Sequence, residues 1–304
     1  MIRKSLFIIA LAALIGQGLT SCSTCSRKTD VFNIPDTLHE SDGELQVNPS
    51  VMEDMVGNIA SPIEMASLIK SLDIPFSQRY LAPAKNVSRF HTSHEKAFNL
   101  GVFGCNLGYL NMYQRVSLVL DYISAIKTLS DGIMVGQFFD FTTLKRLATN
   151  NQNVDSLVHI SQQSFNKMDR YLQRNNRSNL SILIVAGVWV EGLYLTGQFL
   201  RERPNERRLA ESIAEQKLML TQLIIVLENF NRETYIANLI TELNTIKEIY
   251  DGISITIEVG DPKMVEVDGM LTIVQTETST VNYTEEQMQA IIAQAEIVRN
   301  KLIK

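Results

Sequence analysis

One carboxylate, Glu191, stands in a long apolar stretch, SILIVAGVWVEGLYLTGQFL from Ser181 to Leu200, close to the only tryptophan, Trp189. A carboxylate buried without a partner is costly, so Glu191 must be protonated, paired or turned toward a cavity. As a functional group it could grip a ligand amine or act as an acid/base with a raised pKa. As a structural group it would be half of a buried ion pair pinning two helices. Arg89, His94, Tyr109 and Arg115, on or beside a second glycine-rich apolar stretch, are its candidate partners. Tyr109, Trp189, Glu191 and Tyr194 together would line a ligand pocket between the two stretches.

His91 and His94 are the next chemical signal. In a helix they share a face, with Glu95 adjacent, and that spacing can hold a metal ion. The zinc-protease order, with a glutamate between two histidines, is absent. His159 could join them only through tertiary contact. The plain alternative is a solvated helix start that Thr92 or Ser93 caps. A hydrolase using His91, His94 and Glu191 is the enzymatic reading of these residues. No Gly-x-Ser-x-Gly elbow, phosphate loop, CxxC pair or calcium loop is present, and no cofactor is expected. Asp121 and Asp140 fall on helix surfaces or ends. The run from Arg201 to Arg208 reads as a solvated turn, with an anion or partner site as the lesser alternative.

The N-terminus says where such groups would work. Arg3 and Lys4 precede an apolar run, Leu6 to Ile15, too short to span a bilayer. Leu19-Thr20-Ser21-Cys22 follows and resembles a bacterial lipobox. On that resemblance residues 1–21 are a signal peptide and Cys22 is the lipid-modified first residue of the mature chain, plain secretion being the alternative. Ser23 in place of an aspartate implies sorting to the outer membrane, and the lack of an acidic run after it favours the periplasmic face. The formal net charge is −5, and losing Arg3 and Lys4 makes the mature chain more acidic still. That argues against nucleic acid and against a basic membrane-binding patch. The membrane is therefore a partner through the lipid on Cys22. An envelope protein or a small ligand is the further partner to expect. Of the 3 cysteines, Cys25 falls in the tether and Cys105 in an apolar helix, so no disulfide is expected between them. Cys105 reads as a small buried hydrophobe.

The elements that would position these residues are nearly all helical. Residues 22–49 read as a lipidated, flexible tether, and 50–304 as a helical domain. Short helices are expected over Ser50–Asn58 and from the Ser61-Pro62-Ile63-Glu64 capping box to Asp73, before a loop from Pro75 to Val87. His94–Tyr113 carries Gly101, Gly104 and Gly108 at helical spacing. Helices over Gln114–Ser130, Phe141–Thr149 and Ser156–Arg174 follow, the last capped by Asp155. Leu180–Leu200, started by Ser178 or Asn179, is the central helix. Glu191 interrupts its apolar run, so it reads as a buried core helix rather than a membrane span. Its glycines, Gly187, Gly192 and Gly197, each cost about 1 kcal/mol against alanine, and close approach of a neighbouring backbone is the return expected. Helices over Glu206–Phe230, capped by Asn205, and Arg232–Asp251 come next.

From Ile253 the pattern alternates, predicting short strands over about 253–276, with turns at Gly260-Asp261-Pro262 and Asp268-Gly269, a mobile connection being the alternative. Thr284 opens a terminal helix over 285–303, whose stripe of Met288, Ile291, Ile292, Ala295, Val298 and Leu302 should dock on the bundle. Gly108-Tyr109-Leu110 and Gly192-Leu193-Tyr194-Leu195 lie on the two glycine-rich helices, each followed by an amphipathic partner; two equivalent helical hairpins and a chance resemblance between buried helices are the two readings. The expected fold is all-α: a multi-helix bundle of packed helical hairpins with a small C-terminal β-hairpin and a docking terminal helix.

The segments GVFGCNLGYLNMY and VAGVWVEGLY, with IVRNKL in the last helix, resemble a family of helical outer-membrane lipoproteins of Gram-negative bacteria whose function is unknown. The resemblance covers roughly residues 55–304 and implies an all-helical fold and no activity. Starch-binding outer-membrane lipoproteins fit less well, being longer and richer in tryptophan. The Gly-x-His-x-x-Glu pattern of imelysin-like proteins is not reproduced by His91-Thr92-Ser93-His94-Glu95. Three functions stand: a lipid-anchored helical binding or assembly module of the envelope, a small-molecule receptor around Glu191, and the histidine hydrolase.

Overall fold

The computed structural model describes residues 68–148, 154–267 and 270–303. Cys22, Cys25, the signal segment, the tether and the helix expected over Ser50–Asn58 lie outside them, as does the capping box at Ser61. Residues 68–71 are helical, and Asp73 turns the chain with φ 52° before Pro75. A 3-10 turn over Ala84–Arg89 interrupts the expected loop.

Thr92 and Glu95 form a reciprocal capping box that starts α1 (Ser93–Met112). Gln114, at φ 54°, reverses the chain into α2 (Val116–Gly132). Then come α3 (Phe141–Ala148) and α4 (Val154–Arg174), the latter beginning one residue ahead of the expected Asp155 cap. The central helix, α5 (Ser178–Glu202), follows Arg177, which makes no side-chain capping bond. The remaining helices of the body are α6 (Arg207–Glu228) and α7 (Thr234–Tyr250). Glu206, not Asn205, precedes α6, again without a side-chain cap. A second capping box, Thr284 with Gln287, opens α8 (Glu285–Leu302). The fold is an all-α bundle carrying one two-stranded antiparallel sheet among the described residues.

Sequence alone makes α5 long and apolar enough to cross a membrane, yet 94% of its most apolar window is buried inside the protein. Helices α1, α4, α6 and α8 pack around it. The closest approach is to α1. A Cβ built on Gly101 would lie 2.0 Å from the Ile184 carbonyl oxygen, and one built on Gly187 would lie 2.0 Å from that of Phe98. The two backbones touch, and only glycine permits it. Gly197 meets the Ile292 side chain of α8 instead, while Gly104 faces open space.

Contacts between α1 and α5 rise together along both chains, so the helices run parallel. Asn106 bonds to Glu191, 85 residues on, and the same interval relates Tyr109 to Tyr194 and Leu110 to Leu195. Each of the two helices also packs on its own hairpin partner, α2 or α6. Helix α8 returns antiparallel to α5, setting Ile292 on Gly197 and Arg299 on Glu191.

The hairpin is longer than the sequence suggested. Strands β1 (Ser254–Val267) and β2 (Met270–Asn282) pair antiparallel from Ser254–Asn282 to Val267–Met270. Gly260-Asp261-Pro262, expected as a turn, is a register shift inside β1, where Gly260 and Asp261 oppose Thr276 alone. Proline has no N–H for a ladder bond, and a bulge on an edge strand accommodates that without ending the strand.

The glycine seam makes a sharp prediction. Gly187→Ala should force α1 and α5 apart and destabilise by about 3 kcal/mol or more. Gly104→Ala, with space around it, should be neutral or stabilise by up to about 1 kcal/mol. Urea titrations of both variants check the difference in sign.

Candidate functional site

Glu191 is fully buried and every carboxylate oxygen is occupied. Oε2 accepts from Arg299 Nε at 2.8 Å, and Oε1 accepts from Arg299 Nη2 at 2.9 Å and from Asn106 Nδ2 at 2.7 Å. This is a bidentate pair across 108 residues of chain. None of the expected partners Arg89, His94, Tyr109 and Arg115 supplies these bonds. Arg299 sits at 5% exposure, donates to the Tyr80 carbonyl at 3.2 Å and to Asn300 Oδ1 at 3.2 Å, and lies 4.3 Å from the Tyr194 ring centroid. Asn106 completes the network: Nδ2 also donates to the Val102 carbonyl, and Oδ1 accepts from Ala82 N–H at 3.1 Å. The Tyr122 hydroxyl donates to the Ala82 carbonyl.

The electrostatics follow from this geometry. Burial pulls the Arg299 guanidinium down, but the Glu191 carboxylate outweighs it and holds the group above its ordinary value. Burial, then the Glu191 charge, pushes the Cys105 thiol well up, so it stays protonated, as suits a small buried hydrophobe. Arg299 lay within reach of sequence reasoning, because it falls on the docking stripe of α8, four residues after Ala295.

The aromatic candidates are placed differently. Tyr194 stacks under Arg299. Tyr109 is 1% exposed and its hydroxyl accepts from Ser77 N–H at 2.9 Å, within a group of Phe76, Tyr113 and Phe199 rings. Trp189 is 2% exposed, and its indole N–H has no acceptor among the described residues. Arg115 lies over the Phe76 ring at 4.5 Å.

A second polar cluster gathers where α1, α5 and α7 begin. His94 Nε2 meets Glu233 Oε2 at 2.5 Å, and Asn179 Nδ2 donates to both Glu233 oxygens at 2.9 and 3.0 Å. The His94 ring stacks on Tyr235, 5.6 Å between centroids. His91 is exposed, and its backbone N–H donates to Glu95 Oε2 at 2.9 Å. His159 pairs with Gln163 on α4. The two histidines of the weak metal motif are therefore not brought together on one ion. Among the described residues no group of three or more His, Cys, Asp or Glu side chains converges. The arginine run is tied to its own chain: Arg201 to Glu296, Arg203 to the Leu72 and Asp73 carbonyls, Arg207 to Glu211.

Comparison with family models, curated proteins and solved structures gives no match. The site's chemistry is read from its own geometry.

Two measurements test that geometry. Removing one partner of the pair, by Glu191→Leu or Arg299→Met, should cost about 3–5 kcal/mol in urea unfolding. The double variant should recover most of that loss, and a double-mutant cycle reads the coupling directly. The second concerns Glu95. Burial raises its carboxyl, but N–H donors of Thr92 and His91 and the Thr92 hydroxyl outweigh it and hold the group below its usual 4.5. The cap's contribution is therefore complete above that value and disappears as pH falls through the lower folded value. Glu95→Gln, which keeps the capping geometry, should flatten the fall of the urea midpoint as pH drops below the usual carboxylate value of 4.5, relative to the parent chain.

Proposed function

We propose that the protein is a lipid-anchored helical interaction module of the bacterial cell envelope, held to the periplasmic side of the outer membrane through Cys22. The observation that carries the reading is the Glu191–Arg299–Asn106 network. It commits the one fully buried carboxylate of the central helix to holding α1, α5 and α8 and the Tyr80–Ala82 segment together. His94 is likewise taken up by Glu233 at the junction of three helix starts. A receptor pocket between α1 and α5 gains little support, because their backbones are in contact at Gly101 and Gly187. A hydrolase centre gains less, since His94 and Glu191 have different partners. What the body does offer outward is a long β-hairpin, which suits contact with another macromolecule better than chemistry on a small one. The lipobox-like Leu19-Thr20-Ser21-Cys22 supports the anchor.

Expression of the whole chain in a Gram-negative host tests both halves. Mass spectrometry should find an acylated Cys22 as the first residue in the membrane fraction, and Cys22→Ser should move the protein to the soluble fraction. In-cell photo-cross-linking from Met264 or Thr272 on the hairpin should give discrete adducts that a probe at exposed Ser124 on α2 does not. A soluble, unacylated parent chain would overturn the anchor, and an adduct-free hairpin would overturn the module.

A further inference from the structure

The hairpin's two outer edges differ in kind. In a two-stranded sheet each strand leaves one row of N–H and C=O groups unpaired. β1 contains Glu258, Asp261, Pro262, Lys263 and Glu266, and it carries the bulge between Val259 and Pro262. Charges, a proline and a bulge are the devices that keep an open edge from pairing with another chain. Across its 13 residues β2 has no proline, no lysine and a single charge, Glu277, and opposite the bulge it contributes only Thr276.

A two-stranded hairpin is marginally stable in water unless further strands or a helix cover it. The helical body supplies cover at the base, where Ile255 and Val281 pack on the core and β2 meets α6. A strand of 14 residues extends roughly 45 Å, well past that base.

We propose that the unguarded edge of β2 pairs with the same edge of a second copy of this chain, antiparallel about a two-fold axis at Ile273. This rests on the interaction-module reading and names its partner. The pairing joins Met270–Thr276 to itself, an uncharged run on both sides. Glu277, the one charge of β2, then falls beyond the first residue of the opposing strand and does not face its own copy; like charges directly opposite would destabilise the ladder. The resulting four-stranded order is β1-β2-β2-β1, with both guarded β1 edges outermost. Assembly therefore closes at two copies and does not propagate as a fibre. The second copy is the occupant whose charge pattern this sequence supplies: the uncharged run Met270–Thr276 meets itself with no like charges opposed, and a foreign strand is an outcome that the experiment separates.

The test uses the full chain in detergent, with Cys25→Ser to leave one engineered thiol apart from Cys22 and buried Cys105. Opposed residues in an antiparallel pair have Cα atoms about 4.5–5.5 Å apart, within disulfide range. A cysteine scan from Leu271 to Gln275 should therefore give an inter-copy cross-link that peaks at Ile273 and falls away on both sides. Met264→Cys, on the β1 residue paired with Ile273, should give none. In sedimentation equilibrium Ile273→Lys should weaken the dimer about 10-fold or more, and Met264→Lys should not. The cysteine scan decides the matter even if the lysine disrupts the hairpin itself. A parent chain that stays monomeric at about 100 µM overturns the proposal, as does equal cross-linking at 264 and 273. If the monomer's hairpin still gives adducts with other envelope components in cells, the second-copy pairing fails and the module reading stands. If those adducts are also missing, both fail.

Discussion

The fold turns on a charge that water cannot reach. Glu191 lies at the middle of the central helix, and an unpaired carboxylate there would oppose folding by several kcal/mol. It is tolerable because Arg299, from the far end of the chain, arrives with both its Nε and Nη2 donors aligned on it. The native arrangement of α1, α5 and α8 is thus coupled to a single polar geometry. Slipping α8 along α5 by one turn would keep much of the apolar stripe in contact. It would also strand two buried charges, which apolar packing alone could not compensate. We regard the pair as a device for register: it contributes less to total stability than to making one packing of α8 much better than its neighbours.

The glycine seam acts on the other side of the same helix. Between α1 and α5 there is no side chain to interlock at Gly101 and Gly187, so the backbones themselves set the distance. That closeness lets Asn106 reach both Glu191 and the Ala82 N–H. Without it the carboxylate would lose its third donor and the Tyr80–Ala82 segment one of its attachments. Seam and ion pair are one construction.

Much of this was legible in the residues. Glycines at helical spacing in two apolar runs foretold a close helix contact, and the burial of Glu191 called for protonation, a partner or a cavity, of which the structure shows the partner. The partner's identity was not legible by proximity, since the candidates were sought on the facing helix and Arg299 lies 108 residues away. Its position on the α8 stripe was a usable signal, because a charge on an apolar face needs an opposite charge in the core. The pairing of His94 with Glu233, 139 residues apart, had no such signature. The hairpin was legible, but its Gly260-Asp261-Pro262 step was misjudged for a local reason. Gly-Asp-Pro is a strong turn sequence, and only the pairing of residues on both sides of it shows a bulge within one strand.

The hairpin also sits where it can change without disturbing the core. Its two ends are held at the base: Lys217 Nζ donates to the Ile253 carbonyl at 2.6 Å, and Gln287 of the α8 capping box donates to the Gly252 carbonyl at 2.9 Å. Ile253 itself is buried. Beyond those clamps the chain leaves the body and returns to it at nearly the same point, with Ser254 paired to Asn282. Pairing at the distal part of β2 would therefore stabilise the strands it touches while passing little strain to α8 and the Glu191–Arg299 pair. A helical body with a two-stranded arm clamped at its base is the arrangement expected of a protein that binds through an extension, with its core left unmoved.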